Sequence, residues 1–427
     1  MITATALLLL FVLLAIGVPI AFCMLITGAF GLYLIGGTTA VFAIVAGMPH
    51  EKAASYEFLA IPMFLLMAQM VLKSGIADDL FAAASAWMGR MPGGLGVATA
   101  FAGAGFGAIC GSSTAAAATL SSTSLPAMLR YGYDQRMASG VVAISGTLSM
   151  LIPPSIAMVV YAMLTDVSVA KMLIAGVIPG LIVTLTIAAT VIALALHDPS
   201  SAPLSEKVPL REKVLLLRRV GPMLVLLSLV TGSIYLGVAT PTEASGLGAL
   251  CATVMYLVRV RPSLVEFGTV FAHATRGACM IGMIVLGAHV FSTFMALTQS
   301  TQMLTAWIGG LSVEPWMIIV CLVVIYLLLG CVMDQLAILV LTVPIVAPLV
   351  SSLGYDLIWF GVIFIVTAEL GMVTPPMGLN CFVVSKYSET PLREVFMGIV
   401  PHFVAHLGAI AILLAFPALT LWLPSQM

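Results

Sequence analysis

Long uncharged runs alternate with short polar punctuation along the chain. They cover Met1 to His50, the residues between Arg90 and Arg130, Met137 to Thr165, Met172 to His197, Val220 to Thr242, Gly277 to Val313, and Val395 to the end. A helix needs roughly 20 apolar residues to cross about 30 Å of hydrocarbon, and these runs reach that length. The alternation of a β-barrel is absent, and lipid offers no partner to an open backbone, so the pattern predicts an all-α polytopic membrane protein. The first 22 residues have no basic leading region and their apolar run continues through Phe42, which predicts a retained first span.

Two kinds of interruption do not fit complete spans. With Met91-Pro92-Gly93-Gly94 as a loop, the cluster after Cys110 leaves arms of Leu95 to Cys110 and Ala115 to Leu129, both short for a crossing. A re-entrant helical hairpin over about 92–129 follows, with Gly111, Ser112, Ser113 and Thr114 at its tip. The run from Trp316 to Val350, interrupted only by Asp334, predicts a second hairpin over about 316–350 with its tip at Gly330 to Asp334. Double prolines are the other interruption, because proline lacks an N–H and pushes its predecessor out of the α conformation. They predict helices broken at Ile152-Pro153-Pro154-Ser155 (about 137–165) and at Thr374-Pro375-Pro376-Met377-Gly378 (about 357–385). Non-helical backbone at membrane depth survives only where protein buries it or where it lines a wet cavity.

These features recur in register. Gly132-Tyr133-Asp134 matches Gly354-Tyr355-Asp356, Pro126 matches Pro348, and Pro153-Pro154 matches Pro375-Pro376, each pair 222 residues apart. "AWMG" at Ala86 matches "AWIG" at Ala306. The chain thus reads as a duplication: residues 1–197, a linker at 198–219, and residues 220–427. Arg90, Arg130 and Arg136 flank the first set of motifs and have no basic counterparts in the second, so equivalent loops are expected to face opposite sides. Two inverted-topology repeats are the prediction, a pattern common in secondary transporters with sites at broken helices.

Composition agrees with the bilayer reading: 62% of residues are hydrophobic and 8% charged, with mean hydropathy +1.19, against about 25% charged in soluble domains. A net charge of −1 says nothing of partners. Its distribution does, since Lys207, Arg211, Lys213, Arg218 and Arg219 place the linker in the cytoplasm. By the same count the "SKYSETPLRE" loop is cytoplasmic and both termini are outside. The seven cysteines sit in apolar runs without metal spacing and read as small core residues. No nucleophile triad or ATP-binding loop occurs, which argues against an enzyme and against ATP-driven transport, and nothing points to nucleic acid.

Hairpin tips and broken helices supply two useful groups: carbonyls and hydroxyls for a hard cation such as Na+, and helix N-termini for a carboxylate. Gly111 to Thr114 are candidates on that basis, whereas Gly103, Gly105 and Gly107 fit helix packing, as do Ala115 to Ala118. Acids in spans need partners. Asp334 at the second tip is a candidate cation ligand; Glu369, five residues before Thr374, either shares that role or pairs with a nearby basic group. Glu243, following Pro241, reads as a helix-start carboxylate, and His402 and His406, spaced i, i+4 without a third ligand, as interfacial.

Jointly and in order, "GSSTA" at Gly111, "GYD" at Gly132, "IPPS" at Ile152, "TPTEA" at Thr240, "GCVMD" at Gly330 and "VTPPMGLN" at Val373 resemble the large membrane subunit of tripartite ATP-independent periplasmic (TRAP) transporters. The resemblance covers essentially the whole chain. It implies an elevator-type, Na+-coupled importer of carboxylated solutes working with a small four-helix membrane subunit, expected as a separate chain, and a periplasmic solute-binding protein. It further implies a cation site at Gly330, Gly371, Thr374 and Met377, and a symmetric one at Gly111, Ser113, Ser149, Ile152 and Ser155. Substrate contacts implied at the same place are Ser112, Ser113, Thr114, Pro154, Pro376, Gly378 and Asn380. The bacterial inner membrane is the implied location. A self-sufficient sodium/dicarboxylate symporter is the alternative reading. A channel or a non-transporting scaffold is a third, which would not need paired broken helices.

Overall fold

The computed structural model describes residues 2–205, 207–310 and 313–427. Glu206 in the predicted linker, Leu311 and Ser312 in the sixth uncharged run, and Met1 lie outside the described residues. Among these residues every regular element is a helix. The first half opens with α1 (Ile2–Ala15), α2 (Ile20–Val45), α3 (Met48–Ala53), α4 (Ala60–Lys73) and α5 (Ile76–Met88). Then come α6 (Gly94–Cys110), α7 (Ser113–Arg130), α8 (Gln135–Gly146), a 3₁₀ turn at Thr147–Met150, and α9 (Ile156–Thr165). α10 (Val169–Ala175) and α11 (Val177–His197) lead to the linker. The second half runs through α12 (Leu210–Tyr235), α13 (Pro241–Val260), α14 (Leu264–Leu297) and α15 (Ser300–Gly309). It continues with α16 (Pro315–Gly330), α17 (Gln335–Ser352), α18 (Leu357–Gly371), α19 (Leu379–Ser388), α20 (Leu392–Ala415) and α21 (Ala418–Leu421).

Among the described residues, seven helices are long and apolar enough to cross a membrane, or eight if α4 and α5, bent by 66° at their junction, form one span. The chain is a multi-pass membrane protein. α6, α9, α16 and α18 are apolar but fall short of that length, as expected of hairpin arms and half-helices. The linker is shorter than its polarity suggested, because α12 already begins at Leu210. Its first turns mix charged residues with exposed leucines and valine, and Lys213 lies 5.5 Å from the Trp87 ring, the contact by which this end of α12 touches α5.

Contacts sort the loops into two neighbourhoods. Asp134 N donates to Ser201 O at 2.8 Å and Ser205 N to Gly89 O at 3.1 Å, joining the first GYD, the AWMG loop and the linker. Arg136 pairs with Glu394, and Gln135 Nε2 donates to Thr390 Oγ1 at 3.1 Å, so the "SKYSETPLRE" loop lies there too. The second GYD is elsewhere, at the far end of the first broken helix: Tyr161 Oη donates to Leu357 O at 2.7 Å. Nearby, Trp359 Nε1 donates to Leu413 O at 3.1 Å, close to the C-terminus.

The halves also interlock, with α7 packing on α19, α17 on α9, and α8 on α20. α8 and α20 approach so closely that a Cβ on Gly398 would fall on the Arg136 carbonyl, and one on Gly140 on the Gly398 backbone. Two helix starts in the second half, those of α13 and α14, carry complete capping boxes. Thr240 with Glu243, and Ser263 with Glu266, form reciprocal capping boxes. Glu243 Oε2 accepts from Thr240 N and Glu266 Oε2 from Ser263 N, both at 2.8 Å, so Glu243→Ala and Glu266→Ala are each expected to speed hydrogen exchange at the start of α13 and α14 respectively.

Candidate functional site

At the first tip, α6 ends because Gly111 adopts φ +60°, a left-handed cap that glycine accepts freely. Ser112 then starts α7 as its N-cap, its hydroxyl 3.5 Å from Ala115 N and 3.3 Å from Thr114 Oγ1. The arm lies flat against the first break, because Gly103 and Gly107 carry no side chain. A Cβ at Gly103 would stand 2.9 Å from Ser145 O, and one at Gly107 2.8 Å from Ser149 Cα. Packing is thus their role, as expected. Gly111 rests on Ile156, just past the break.

That break keeps its polar groups in order with two hydroxyls. Ser149 Oγ donates to Gly146 O at 2.8 Å; Ser155 Oγ donates to Met150 O at 2.5 Å and caps α9 through Met158 N at 3.4 Å. Each hydroxyl spends its hydrogen on a carbonyl and keeps lone pairs for another partner. Pro153, Pro154 and Ser155 are all buried.

The second tip and break meet backbone to backbone. A Cβ at Gly330 would lie 2.6 Å from Ala368 O, and one at Gly371 2.6 Å from Gly330 Cα, so α16 and α18 touch through these two glycines. Gly378 N donates to Cys331 O at 3.3 Å, tying the break to the tip. Gly378 has φ +56° and starts α19. Thr374 Oγ1 donates to Leu370 O at 2.7 Å and Thr374 N to Gly371 O at 2.9 Å. Unlike their counterparts, Pro375, Pro376 and Met377 are exposed. Asp334 caps α17, accepting from Leu336 N at 3.1 Å.

A cavity of about 550 Å³ opens between the tips and helices α2, α4 and α14. It draws Gly111, Ser112, Thr114 and Ala115 from the start of α7, Asp334, Leu336 and Ala337 from the start of α17, and Ile156 from the start of α9. Three helix N-termini from the tips and the first break, those of α7, α17 and α9, therefore converge on one space beside the start of α2 (Ile20 and Ala21), and their orphan N–H groups and positive dipole ends suit an anion. Asp334 offsets one of the three; the α7 and α9 ends carry no acid in their first turns.

The expected residues thus fall in three places. Gly111, Ser112, Thr114 and Asp334 line the cavity. Ser149, Ile152, Pro154 and Ser155 form the buried break behind the first tip, while Gly330, Gly371, Thr374, Met377, Pro376 and Gly378 belong to the second tip and its more open break. Ser113 and Asn380 turn away from the cavity. Asn380 is buried, and neither atom of its amide has a partner among the described residues.

Ser113 resolves the question of Glu369. Its hydroxyl donates to Glu369 Oε1 at 2.5 Å, across 256 residues, so among the described residues the partner is a hydroxyl from the other half and not a basic group. Glu369 is 1% exposed, and Oε2 has no partner among the described residues. One hydrogen bond to a charged group contributes about 1.5–3 kcal/mol, short of the several kcal/mol that burying an ion costs. The histidines are a second correction. His402 and His406 are buried at 1% and 2% exposure, not interfacial, because the small residues of α8 and α20 bring those helices together along this face. Of the cysteines, Cys23, Cys110, Cys331 and Cys381 are buried as expected, whereas Cys251, Cys279 and Cys321 are exposed on the outer faces of their helices.

Sequence reasoning passed over Gln69, a polar residue from α4 in the cavity wall, and Gln335, buried with neither amide atom partnered among the described residues. It also passed over Ser145 and Thr367, whose buried hydroxyls have no partner among the described residues. The signal was present: Gln335 stands 222 residues after Ser113, and Thr367 the same distance after Ser145.

Comparison with known proteins matches residues 7–419 to the family described as "Tripartite ATP-independent periplasmic transporter, DctM component". The C4-dicarboxylate TRAP transporter large permease protein DctM of Pseudomonas aeruginosa is 35% identical over 376 residues, 88% of this chain and 88% of that protein. The ectoine/5-hydroxyectoine large permease UehC of Ruegeria pomeroyi is 30% identical over 98% of each chain, and the sialic acid large permease SiaM of Vibrio cholerae 29% identical over 96% of each. Among solved structures, the YdaH transporter of Alcanivorax borkumensis superposes with TM-score 0.68, covering 90% of this chain and 89% of that one; at 15% identity this speaks to the fold alone.

Proposed function

The chain belongs to the DctM component family of tripartite ATP-independent periplasmic transporters, and from that premise we propose that it is the membrane permease of a Na+-coupled importer of an organic acid. The observation that carries this reading is the convergence of three helix N-termini on one cavity beside two tip-and-break junctions. A carboxylated solute would sit with its anionic group toward Ser112, Thr114 and the α7 N-terminus, with Gln69 across the cavity.

The residues present fit a hard monovalent cation. At one junction Gly330, Gly371, Thr374 and Met377 offer main-chain oxygens; at the other Gly111, Ser113, Ser149, Ile152 and Ser155 offer carbonyls and hydroxyls whose lone pairs face away from their own hydrogen bonds. Bound Na+ would supply the positive charge that lets uptake draw on a sodium gradient. The hairpins and broken helices interlock across the halves, which suits a body that moves as one unit against α2, α4, α5 and α12–α14. That is elevator motion, with a cytoplasmic linker joining two inverted repeats.

A periplasmic binding protein would deliver the solute, and a small membrane subunit would complete the complex. Relatives named for C4-dicarboxylates, sialic acid and ectoine mark the solute range to screen. In proteoliposomes containing both subunits and the binding protein, replacing Na+ with K+ is expected to abolish uptake. Undiminished uptake in K+ would refute the coupling, and full uptake without any binding protein would favour a self-sufficient symporter.

A further inference from the structure

We infer that Glu369 is the charged ligand of a monovalent cation held between the two halves of the molecule, beside the Ser113 hydroxyl. The inference rests on the cation-coupled reading above and adds to it a ligand from the opposite half.

Both residues are 1% exposed, Ser113 at the first turn of α7 and Glu369 near the end of α18. Ser113 satisfies Oε1. Oε2 is buried with no hydrogen-bond partner among the described residues, and a buried polar atom in that state marks a missing partner. None of the three ion pairs among the described residues involves Glu369, and the buried core contains no lysine or arginine. The other charge that bears on Glu369 is a second acid, Asp334. A carboxylate so placed is not tolerated alone in a membrane interior.

A proton or a cation could neutralise it. A proton on Oε2 would find no acceptor among the described residues, and one on Oε1 would require the bond with Ser113 to reverse, whereas a cation at Oε2 leaves the Ser113 hydroxyl donating to Oε1. The position is shared: Ser113 lies on the first tip, and Glu369 precedes Gly371 of the second junction by two residues. A cation here therefore fastens the first hairpin to the second broken helix.

Glu369→Gln tests this, because glutamine keeps the shape and the acceptor for Ser113 but removes the charge. The reconstituted complex is compared in NaCl and KCl at equal ionic strength by thermal unfolding and by the Na+ dependence of uptake. For the wild type, Na+ is expected to raise the unfolding midpoint above that in K+. For Glu369→Gln the Na+-specific rise is expected to vanish and half-maximal uptake to need about tenfold more Na+ or higher, with substrate KM at saturating Na+ unchanged. A Glu369→Gln complex with the wild-type Na+ response overturns the inference and leaves Na+ coupling standing, since the carboxyl would then be neutral in the native protein. A wild type with no Na+ response by either measure overturns both. If the glutamine variant does not fold, Glu369→Asp takes its place, because it keeps the charge and withdraws it by one methylene: a raised Na+ requirement supports the inference and an unchanged one overturns it.

Discussion

Gly371→Val is expected to abolish uptake while leaving the protein in the membrane. The Cβ would arrive 2.6 Å from Gly330 Cα and 2.7 Å from Leu327 O, and both obstacles are backbone of α16, which has no rotamer to change. α16 must retreat from α18, and the Gly378 N to Cys331 O bond between break and tip goes with it. Inserting methylenes into a packed site costs about 1–3 kcal/mol, and here the strain falls on the junction assigned to a cation, so a loss of about a hundredfold or more is anticipated. Gly408→Val is the matched control: it sits on the exposed face of α20 with nothing within 4 Å of the new Cβ. Uptake per inserted molecule should separate the two. Wild-type uptake in Gly371→Val would mean the two backbones are not in contact in the working transporter.

Ser112→Trp is expected to remove uptake by a different route. Ser112 faces the cavity of about 550 Å³, and an indole there occupies the space beside the α7 N-terminus where an anionic group would dock. α7 should still form, because the hydroxyl it loses makes a long cap of 3.5 Å. Na+-specific thermal stabilisation should survive, since Ser113, Ser149 and Ser155 point elsewhere. Retained uptake would place the solute outside this cavity; loss of both uptake and Na+ stabilisation would place the cation in it.

What the sequence disclosed was what short-range chemistry determines. The arms expected at Leu95 to Cys110 and Ala115 to Leu129 are observed at Gly94–Cys110 and Ser113–Arg130, and the second pair is equally close. Arm length and the missing proline N–H decide these boundaries, and both are visible in a short window. Environment is a long-range property and was not legible. The two double-proline motifs look alike, yet one is buried and the other exposed, because what covers them comes from other helices. Glu369 met its partner 256 residues away. The histidines were misplaced for a related reason: α20 is apolar on nearly every face, so periodicity could not tell which side another helix would cover. Gln335 and Thr367 were legible in principle through the repeat register, which carries polar residues into the core twice.

The interlocking of the halves bears on how the chain is made. α7 finds its packing partner in α19 and α8 finds its own in α20, while Ser113 waits for Glu369. When residues 1–197 have been made, the first hairpin already has α5, α8 and α11 beside it, while α18 and α19, which supply Glu369 and the packing on α7, do not yet exist. The contacts that join the halves can form only when those last helices arrive, so the first half cannot complete its packing before the chain is finished.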